Sequence, residues 1–275
     1  MTTSFQHRCI VEIGGIPIAV STGDLGLFGL IERRYSGFLS DSRPELEIEL
    51  QRVEQPVSSP DEDVRVYREV EEWVLHRGDF RARWSPLSGQ GTVRQNLNPY
   101  AFDSVLRILH SLLLAERHGF LLHAASVICD GKACLFSGVS GAGKTTLARL
   151  APQEATLLTD EISYVRRAVE VYSAYGTPFA GELAQPGENC AAPVSALFFL
   201  EQGPENLVEE LPAPEAMRRL MRNILFFADD PGLVENVLNT ACDLVSRVSA
   251  CRLVFYPDAK VWDVVRQFQG LPAYV

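Results

Sequence analysis

The sequence predicts an α/β protein in which a glycine-rich loop joins an apolar strand to a short helix on a mixed sheet. Three observations predict this fold class. Residues 138–145 read GVSGAGKT directly after the apolar run 133–137. Asp130-Gly131, a strong two-residue hairpin signal, precedes that run. Only about ten residues separate Lys144 from the next apolar run at Ala155, too few for a long helix with a parallel return strand.

Residues 1–97 form a strand-rich N-terminal region in this prediction. Residues 10–20 carry Gly14-Gly15, a turn signal between two apolar runs. Apolar and acidic residues alternate over 45–50, the period of a strand with one solvated face. Residues 73–84 alternate around Arg77-Gly78-Asp79 and predict a hairpin. Residues 25–38 are expected to be helical and residues 55–63 to be a loop.

Residues 98–275 form the predicted glycine-loop domain. Asn98 can cap a helix with Pro99 in its first turn, an apolar stripe follows at helical spacing, and Gly119 is expected just past its end. The runs 120–128 and 133–137 then form the hairpin. The remaining expected elements are helices at 145–150, 212–227, 231–248 and 259–268, and strands at 155–159, 164–165, 169–172, 194–200 and 251–256.

Residues 138–145 match the full P-loop pattern G-x-x-x-x-G-K-[ST]. Glycines let several backbone N–H groups converge on one phosphate, the lysine reaches the β- and γ-phosphates, and the hydroxyl ligates Mg²⁺. The sequence therefore predicts a site for ATP with magnesium; ATP rather than GTP is the default. The predicted nucleotide-binding residues are Gly138, Ser140, Gly141, Ala142, Gly143, Lys144, Thr145 and Thr146.

Adjacent carboxylates end the next predicted strand, at Asp160-Glu161. Two carboxylates beside a P-loop suit magnesium binding and general-base catalysis. His123 lies on the strand before the hairpin, where it can orient a carboxylate or pack as a core histidine. Gly176-Thr177-Pro178-Phe179 reads as a turn.

His123-Ala124-Ala125, the hairpin, residues 140–145 and the acidic pair together resemble the bacterial HPr kinase/phosphorylase family. The resemblance implies a mixed-sheet fold similar to phosphoenolpyruvate carboxykinase and transfer of phosphate to a protein serine. It implies that Asp160 is the general base beside His123, and that Thr145 and Glu161, with Asp160 near them, hold Mg²⁺. It also implies self-association, because that family forms hexamers.

The Arg- and Gly-rich segment that this family uses for the phosphorylase reaction is missing, and residues 1–97 do not resemble its regulatory domain. The leading hypothesis is therefore a kinase acting on a serine of a protein or peptide, without phosphorylase activity. A P-loop ATPase using the acidic pair as a Walker B element, a non-catalytic nucleotide-binding regulator and a small-metabolite kinase are alternatives. For the ATPase, Arg218, Arg219 and Arg222 are candidate arginine fingers, or a solvated helix face.

Composition excludes several classes. The net charge of −10 argues against a nucleic-acid partner. No C-x-x-C pair occurs among six cysteines, which disfavours a zinc site and favours reduced thiols. The most apolar stretch, 106–122, is interrupted by charges and is too short to span a bilayer, and no signal peptide is apparent. We expect a cytoplasmic protein.

Overall fold

The computed structural model describes residues 7–54 and 62–270. In that part of the chain it contains six α-helices, one short 3₁₀ helix and sixteen strands in two mixed sheets. The helices are α1 (Leu25–Arg34), α2 (Pro99–Glu116), α3 (Lys144–Arg149), α4 (Ala213–Met221), α5 (Pro231–Arg247) and α6 (Val261–Phe268); the 3₁₀ helix is Ser36–Phe38. The strands are β1 (His7–Ile13), β2 (Ile16–Thr22), β3 (Leu46–Arg52), β4 (Arg65–Glu69), β5 (Glu72–Arg77), β6 (Phe80–Trp84), β7 (Gln90–Gln95), β8 (Gly119–Cys129), β9 (Lys132–Ser137), β10 (Thr156–Thr159), β11 (Ile162–Ala168), β12 (Val171–Tyr175), β13 (Ala191–Gln202), β14 (Leu207–Glu210), β15 (Ile224–Leu225) and β16 (Ser249–Phe255).

The chain divides into two compact units. One comprises the residues up to Leu113 together with Phe226–Leu233; the other comprises Leu114–Leu225 and the residues from Val234 onward. The division of the chain into domains at 1–97 and 98–275 stays a prediction. No helix of the described residues is both long and apolar enough to cross a membrane.

The N-terminal unit contains a seven-stranded sheet in the order β1-β2-β3-β7-β6-β5-β4. Strands β1 and β2 are antiparallel around Gly14-Gly15, both with positive φ, and β5 and β6 form the expected hairpin. Strand β3 is parallel to both its neighbours. Most of the predicted loop 55–63 lies outside the described residues.

The second unit is built on a nine-stranded sheet with apolar side chains on both faces. One face packs on α4 and α5, the other on α3 and α6, because alternate residues of β13 such as Leu197 and Phe198 enter opposite clusters. The predicted hairpin is confirmed: β8 and β9 are antiparallel, and Asp130 and Gly131 both have positive φ. Strand β9 is parallel to β13, which is parallel to β16, so the mixed sheet is confirmed as well.

Three local predictions are wrong. The break expected between strands at 164–165 and 169–172 lies instead at Val169 and Glu170, because Arg166 and Arg167 pair within β11. Gly119 is not a helix cap: it opens β8, where a Cβ would lie 2.6 Å from the Val165 carbonyl oxygen, and His118 takes the left-handed conformation instead. The helix expected over 212–227 ends at Met221, because the next residues join the sheet. Ile224 and Leu225 pair with β8, which leaves no backbone groups for another helical turn.

Candidate functional site

A pocket of about 640 Å³ lies where β9 ends and α3 begins. We call residues 138–145 the glycine loop and this cavity the glycine-loop pocket. Its lining combines the loop and the residue after it, the acidic pair and residues from three more distant parts of the chain. The lining residues are His123, Ser140, Gly141, Gly143, Lys144, Thr145, Thr146, Asp160, Glu161, Ala180, Gly181, Glu182 and Gln202.

Glycines are required at two positions of the loop. Gly141 and Gly143 have φ of 78° and 103°, in the left-handed region that side-chain-bearing residues avoid. A Cβ on Gly143 would also lie 2.4 Å from the Phe255 ring, at the end of β16. The sequence Gly-Ala-Gly-Lys therefore allows a tight backbone curl against an aromatic ring that a bulkier residue would push away.

The side chain of Lys144 folds back onto the first residues of the glycine loop. The residue is only 8% exposed, and its Nζ donates to the carbonyl oxygens of Gly138 at 3.0 Å and Val139 at 3.2 Å. Burial lowers the pKa of Lys144, while the carboxylates of Glu161 and Glu182 act in the opposite direction. The ammonium group is thus pre-positioned at the base of the loop, facing a pocket with acidic side chains.

The acidic pair lies at the end of β10, where the Thr159 hydroxyl accepts hydrogen bonds from the amides of Glu161 and Ile162, both at 3.2 Å. These bonds turn the chain toward β11 and direct the pair to the pocket. Asp160 is 3% exposed, and its carboxylate accepts from the amides of Gly181 at 2.8 Å and Leu183 at 2.9 Å. Glu161 is half-buried and lines the same pocket.

His123 reaches the pocket from β8, opposite Ile162 of β11. Its backbone is held on both sides, since its N–H donates to the Asn223 carbonyl at 2.8 Å and its carbonyl accepts from the Ser137 hydroxyl at 3.0 Å. Burial lowers the pKa of His123, and Lys144 lowers it further. The imidazole is therefore biased toward its neutral form.

Residues 176–179, which the sequence predicts as a turn, form an irregular stretch that begins a segment bonded to β10 and β11. Thr177 donates its amide to the Leu158 carbonyl at 3.0 Å and its hydroxyl to the Ile162 carbonyl at 3.0 Å. Gly187 lies so close that a Cβ would be 1.7 Å from the Leu158 oxygen. These bonds thus anchor a segment that returns along β10 and forms one wall of the pocket.

The structure brings nine of the eleven predicted site residues to the pocket lining. Gly138 and Ala142 are buried beneath it, where a Cβ on Gly138 would lie 2.9 Å from that of Ala142. The candidate arginines lie elsewhere: Arg219 pairs with Glu201 and Glu215, and neither Arg218 nor Arg222 is among the lining residues that the structure describes. The interpretation of these arginines as a helix face agrees with this arrangement better than an arginine finger does.

Sequence reasoning missed Ala180, Gly181, Glu182 and Gln202. The Gln202 amide donates to the Gly141 carbonyl at 2.9 Å from the end of β13. Because ligands in open α/β sheets bind beyond the carboxyl ends of parallel strands, recognition of β13 as a parallel neighbour of β9 could have identified it. The other three residues line the pocket because their segment is hydrogen-bonded to Asp160. No local sequence pattern predicts such a long-range contact.

The pocket chemistry fits a phosphate ligand that arrives with a divalent cation. The loop amides and Lys144 suit phosphate oxygens, and the Thr145 hydroxyl and the acidic pair offer oxygen ligands. Among the described residues, no three His, Cys, Asp or Glu side chains are close enough to hold a metal by themselves. Mg²⁺ commonly binds through one or two carboxylates, waters and substrate phosphates rather than through a protein cage. These residues therefore fit magnesium as a partner of a bound phosphate chain.

The fold and the site define a mixed α/β protein with a strand–glycine loop–helix unit and an acidic pair facing the loop. The family model described as SynChlorMet cassette protein ScmC matches residues 96–268, well over half of the chain. The chain therefore belongs to the SynChlorMet cassette protein ScmC family. The family that matches is thus not that of the HPr kinases.

Among solved structures, the HPr(Ser) kinase/phosphatase from Coxiella burnetii is similar with a TM-score of 0.30 and 9% identity, covering 54% of this chain and 95% of that one. A TM-score of this size carries no argument about fold or activity. No curated protein matches the sequence.

Proposed function

We propose that this protein is an ATP- and magnesium-dependent kinase that transfers the γ-phosphate to a hydroxyl group, a serine of a protein or peptide. The observation that supports it most is the glycine-loop pocket itself. It combines a curled glycine backbone, a buried lysine, a hydroxyl and two adjacent carboxylates in one cavity. Phosphoryl transfer needs this set, since it depends on positioning and on neutralising charge on the transferred group.

Binding of the nucleotide falls to the glycine loop. Curled backbone amides make an anion-binding concavity, and Lys144 adds a full positive charge at its base. On a phosphate chain, the ammonium would exchange its two carbonyl acceptors for phosphate oxygens. The Gln202 bond to Gly141 holds the loop in its curled form from the neighbouring strand.

Thr145, Glu161 and Asp160 are the residues proposed to hold magnesium, which would offset negative charge on the phosphates. The carboxylates also supply a candidate general base for the acceptor hydroxyl, a role that the family resemblance assigns to Asp160. His123, neutral in its half-buried position, can orient a carboxylate without adding charge.

A serine on a protein or peptide is the proposed acceptor because the mouth of the pocket is accessible. Val139 at the tip of the loop is 74% exposed, and Ser140 and Glu182 on the rim are exposed too. A flexible peptide segment can reach such a rim, whereas an enclosed cavity would favour a small metabolite.

Transfer from γ-labelled ATP to a panel of serine-containing peptides, in the presence of magnesium, tests the proposal. We expect label on the peptide serine, with loss from matched peptides in which that serine is alanine. Removal of a general base costs roughly 10²–10⁴-fold in rate. Asp160→Asn and Glu161→Gln should therefore differ in transfer rate, and the more damaged variant identifies the base.

Glu188→Gln is the matched control, since Glu188 lies on the same return segment but outside the glycine-loop pocket. It should transfer phosphate like the parent protein. Magnesium-dependent hydrolysis at the same rate with and without every acceptor would replace the kinase by an ATPase. Binding without turnover would indicate a nucleotide-dependent regulator.

A further inference from the structure

The segment Ala180–Leu183, which we call the covering segment, is attached to the acidic pair rather than to the glycine loop. Asp160 Oδ1 accepts from the Gly181 amide at 2.8 Å, and Oδ2 accepts from the Leu183 amide at 2.9 Å. One buried carboxylate thus binds the two amides that flank Glu182. Hydrogen bonds to a charged acceptor are about twice as strong as neutral ones, so this is a firm attachment.

Gly181 makes this attachment possible. A Cβ at this position would lie 2.8 Å from Asp160 Oδ2 and 2.9 Å from the Glu161 Cβ, closer than real Cβ contacts come. Farther out, the segment is bonded on both sides to β10, by Thr177 to Leu158 and by Glu188 to Leu157. The covering segment therefore has anchored ends and a glycine where it touches the acidic pair.

This arrangement places the side chain of Glu182 at the glycine-loop pocket. It is exposed toward solvent and lines the glycine-loop pocket, which adds a third carboxylate to Asp160 and Glu161. Lys144 is the one lysine or arginine among the lining residues that the structure describes. The pocket thus combines three negative charges with one full positive charge, an unfavourable balance for a bare polyanion.

We propose that Asp160 is a positioning residue that holds Glu182 in the glycine-loop pocket, and that Glu182 makes the site accept ATP as its magnesium complex and reject free ATP. Free ATP carries two more negative charges than its magnesium complex, so a carboxylate near the phosphates repels it more strongly. This inference rests on the proposed nucleotide site, and it concerns selectivity between two forms of one ligand.

Calorimetric titration with ATP, once with excess magnesium and once with EDTA, gives two dissociation constants. The selectivity is the dissociation constant of free ATP divided by that of magnesium-ATP. Glu182→Gln removes the charge and keeps the shape. Because the group is solvent-exposed, we expect this ratio to fall by about tenfold, mainly through tighter binding of free ATP. Glu188→Gln, which lies beyond the covering segment and outside the pocket, should keep the parental ratio.

A double-mutant cycle tests whether Asp160 acts through Glu182. Asp160→Asn leaves one acceptor oxygen for two amides, so it releases the covering segment and lowers the ratio. If this effect passes through Glu182, the double variant with Glu182→Gln has the ratio of Glu182→Gln alone. If Asp160 instead acts on the nucleotide directly, through its own charge or as a ligand of magnesium, the two effects multiply, and the positioning role is overturned.

Gly181→Ala gives a version of the test without any change of charge. The added methyl group pushes against Asp160, so we expect the ratio to fall toward that of Glu182→Gln, while Gly23→Ala, whose Cβ meets nothing within 4 Å, keeps it. Circular dichroism checks that each variant is folded, and Glu182→Gln alone still decides the selectivity claim if Gly181→Ala does not fold.

The failures are distinguishable. A parental protein that binds neither form of ATP overturns the proposed function together with this inference. A parental protein that binds magnesium-ATP, with an unchanged ratio in Glu182→Gln, overturns the inference alone.

Discussion

Two buried aspartates, one in each unit, show how partners determine what a carboxylate does. Asp103 of α2 is 2% exposed and accepts from the Arg34 guanidinium and, at 2.5 Å, from the Tyr35 hydroxyl. Asp160 is 3% exposed and accepts from two backbone amides. A guanidinium cancels the charge of its partner, whereas amides stabilise a carboxylate without cancelling it. Asp103 therefore has a structural role, whereas the uncompensated negative charge of Asp160 acts on whatever binds in the pocket.

The largest expected effect comes from removing Asp103, the aspartate whose charge a guanidinium neutralises. Asp103→Ala leaves the Arg34 guanidinium and the Tyr35 hydroxyl without their partner, and loss of one member of a buried pair costs about 3–5 kcal/mol. Urea denaturation followed by the fluorescence of Trp73 and Trp84, in a Trp262→Phe background, should show this loss in the N-terminal unit. Asp103→Asn, which can still accept, is the matched control and should lose less.

A second prediction concerns Lys144, whose lowered pKa shows that burial disfavours its charge. Lys144→Met removes the cation that the proposed phosphate site needs, and we expect ATP affinity to fall by roughly 100-fold, about 2.7 kcal/mol. The melting temperature without ligand should not fall comparably, because a desolvated charge is removed as well. A parallel collapse of both would mean that Lys144 is structural.

His123 gives a pH-dependent prediction. Because its folded-state pKa is below the ordinary value, the unfolded chain binds more protons at mildly acidic pH. The corresponding stability is present above about pH 6.5 and is lost as pH falls through the lowered folded pKa. Melting temperatures between pH 7.5 and 5 should drop less in His123→Gln than in the parent; equal drops would contradict the stated environment.

The smallest effect is expected at an exposed ion pair of the N-terminal sheet. Arg83 contacts Glu72 at 2.8 Å and Glu69 at 2.9 Å, but all three side chains are substantially exposed. Arg83→Gln should leave the free energy of unfolding close to that of the parent protein, measured as for Asp103→Ala. A loss of stability as large as that of Asp103→Ala would show that the difference in burial between the Asp103 and Arg83 ion pairs does not determine their contribution to stability.

Features encoded by neighbouring residues could be predicted from the sequence. The β8–β9 hairpin follows from Asp130-Gly131, because a two-residue turn with positive φ at both positions favours these residue types. The short α3 and the mixed sheet follow from the few residues between Lys144 and β10. The Asn98 side chain accepts from the Tyr100 amide, as a capping residue should.

Features that depend on distant pairing could not be predicted this way. The covering segment reaches the pocket because Gly181 contacts a carboxylate 21 positions earlier, and no periodicity records such a contact. The end of α4 was misplaced for the same reason, since Ile224 is taken up by a strand a hundred residues before it. Tertiary pairing overrides local helical preference at such positions.

The turn at Asp130-Gly131 also has a kinetic consequence. Strand β9, which leads to the glycine loop, is joined to its neighbour β8 by a two-residue turn. Its other neighbour, β13, is far away in sequence: Ser195 of β13, which contacts Cys134 of β9, lies 61 positions after it. Closing a short loop costs less chain entropy than closing a long one. On a ribosome, the hairpin can therefore assemble while β13 is still being synthesised, and the cavity wall is completed only after that later strand has emerged.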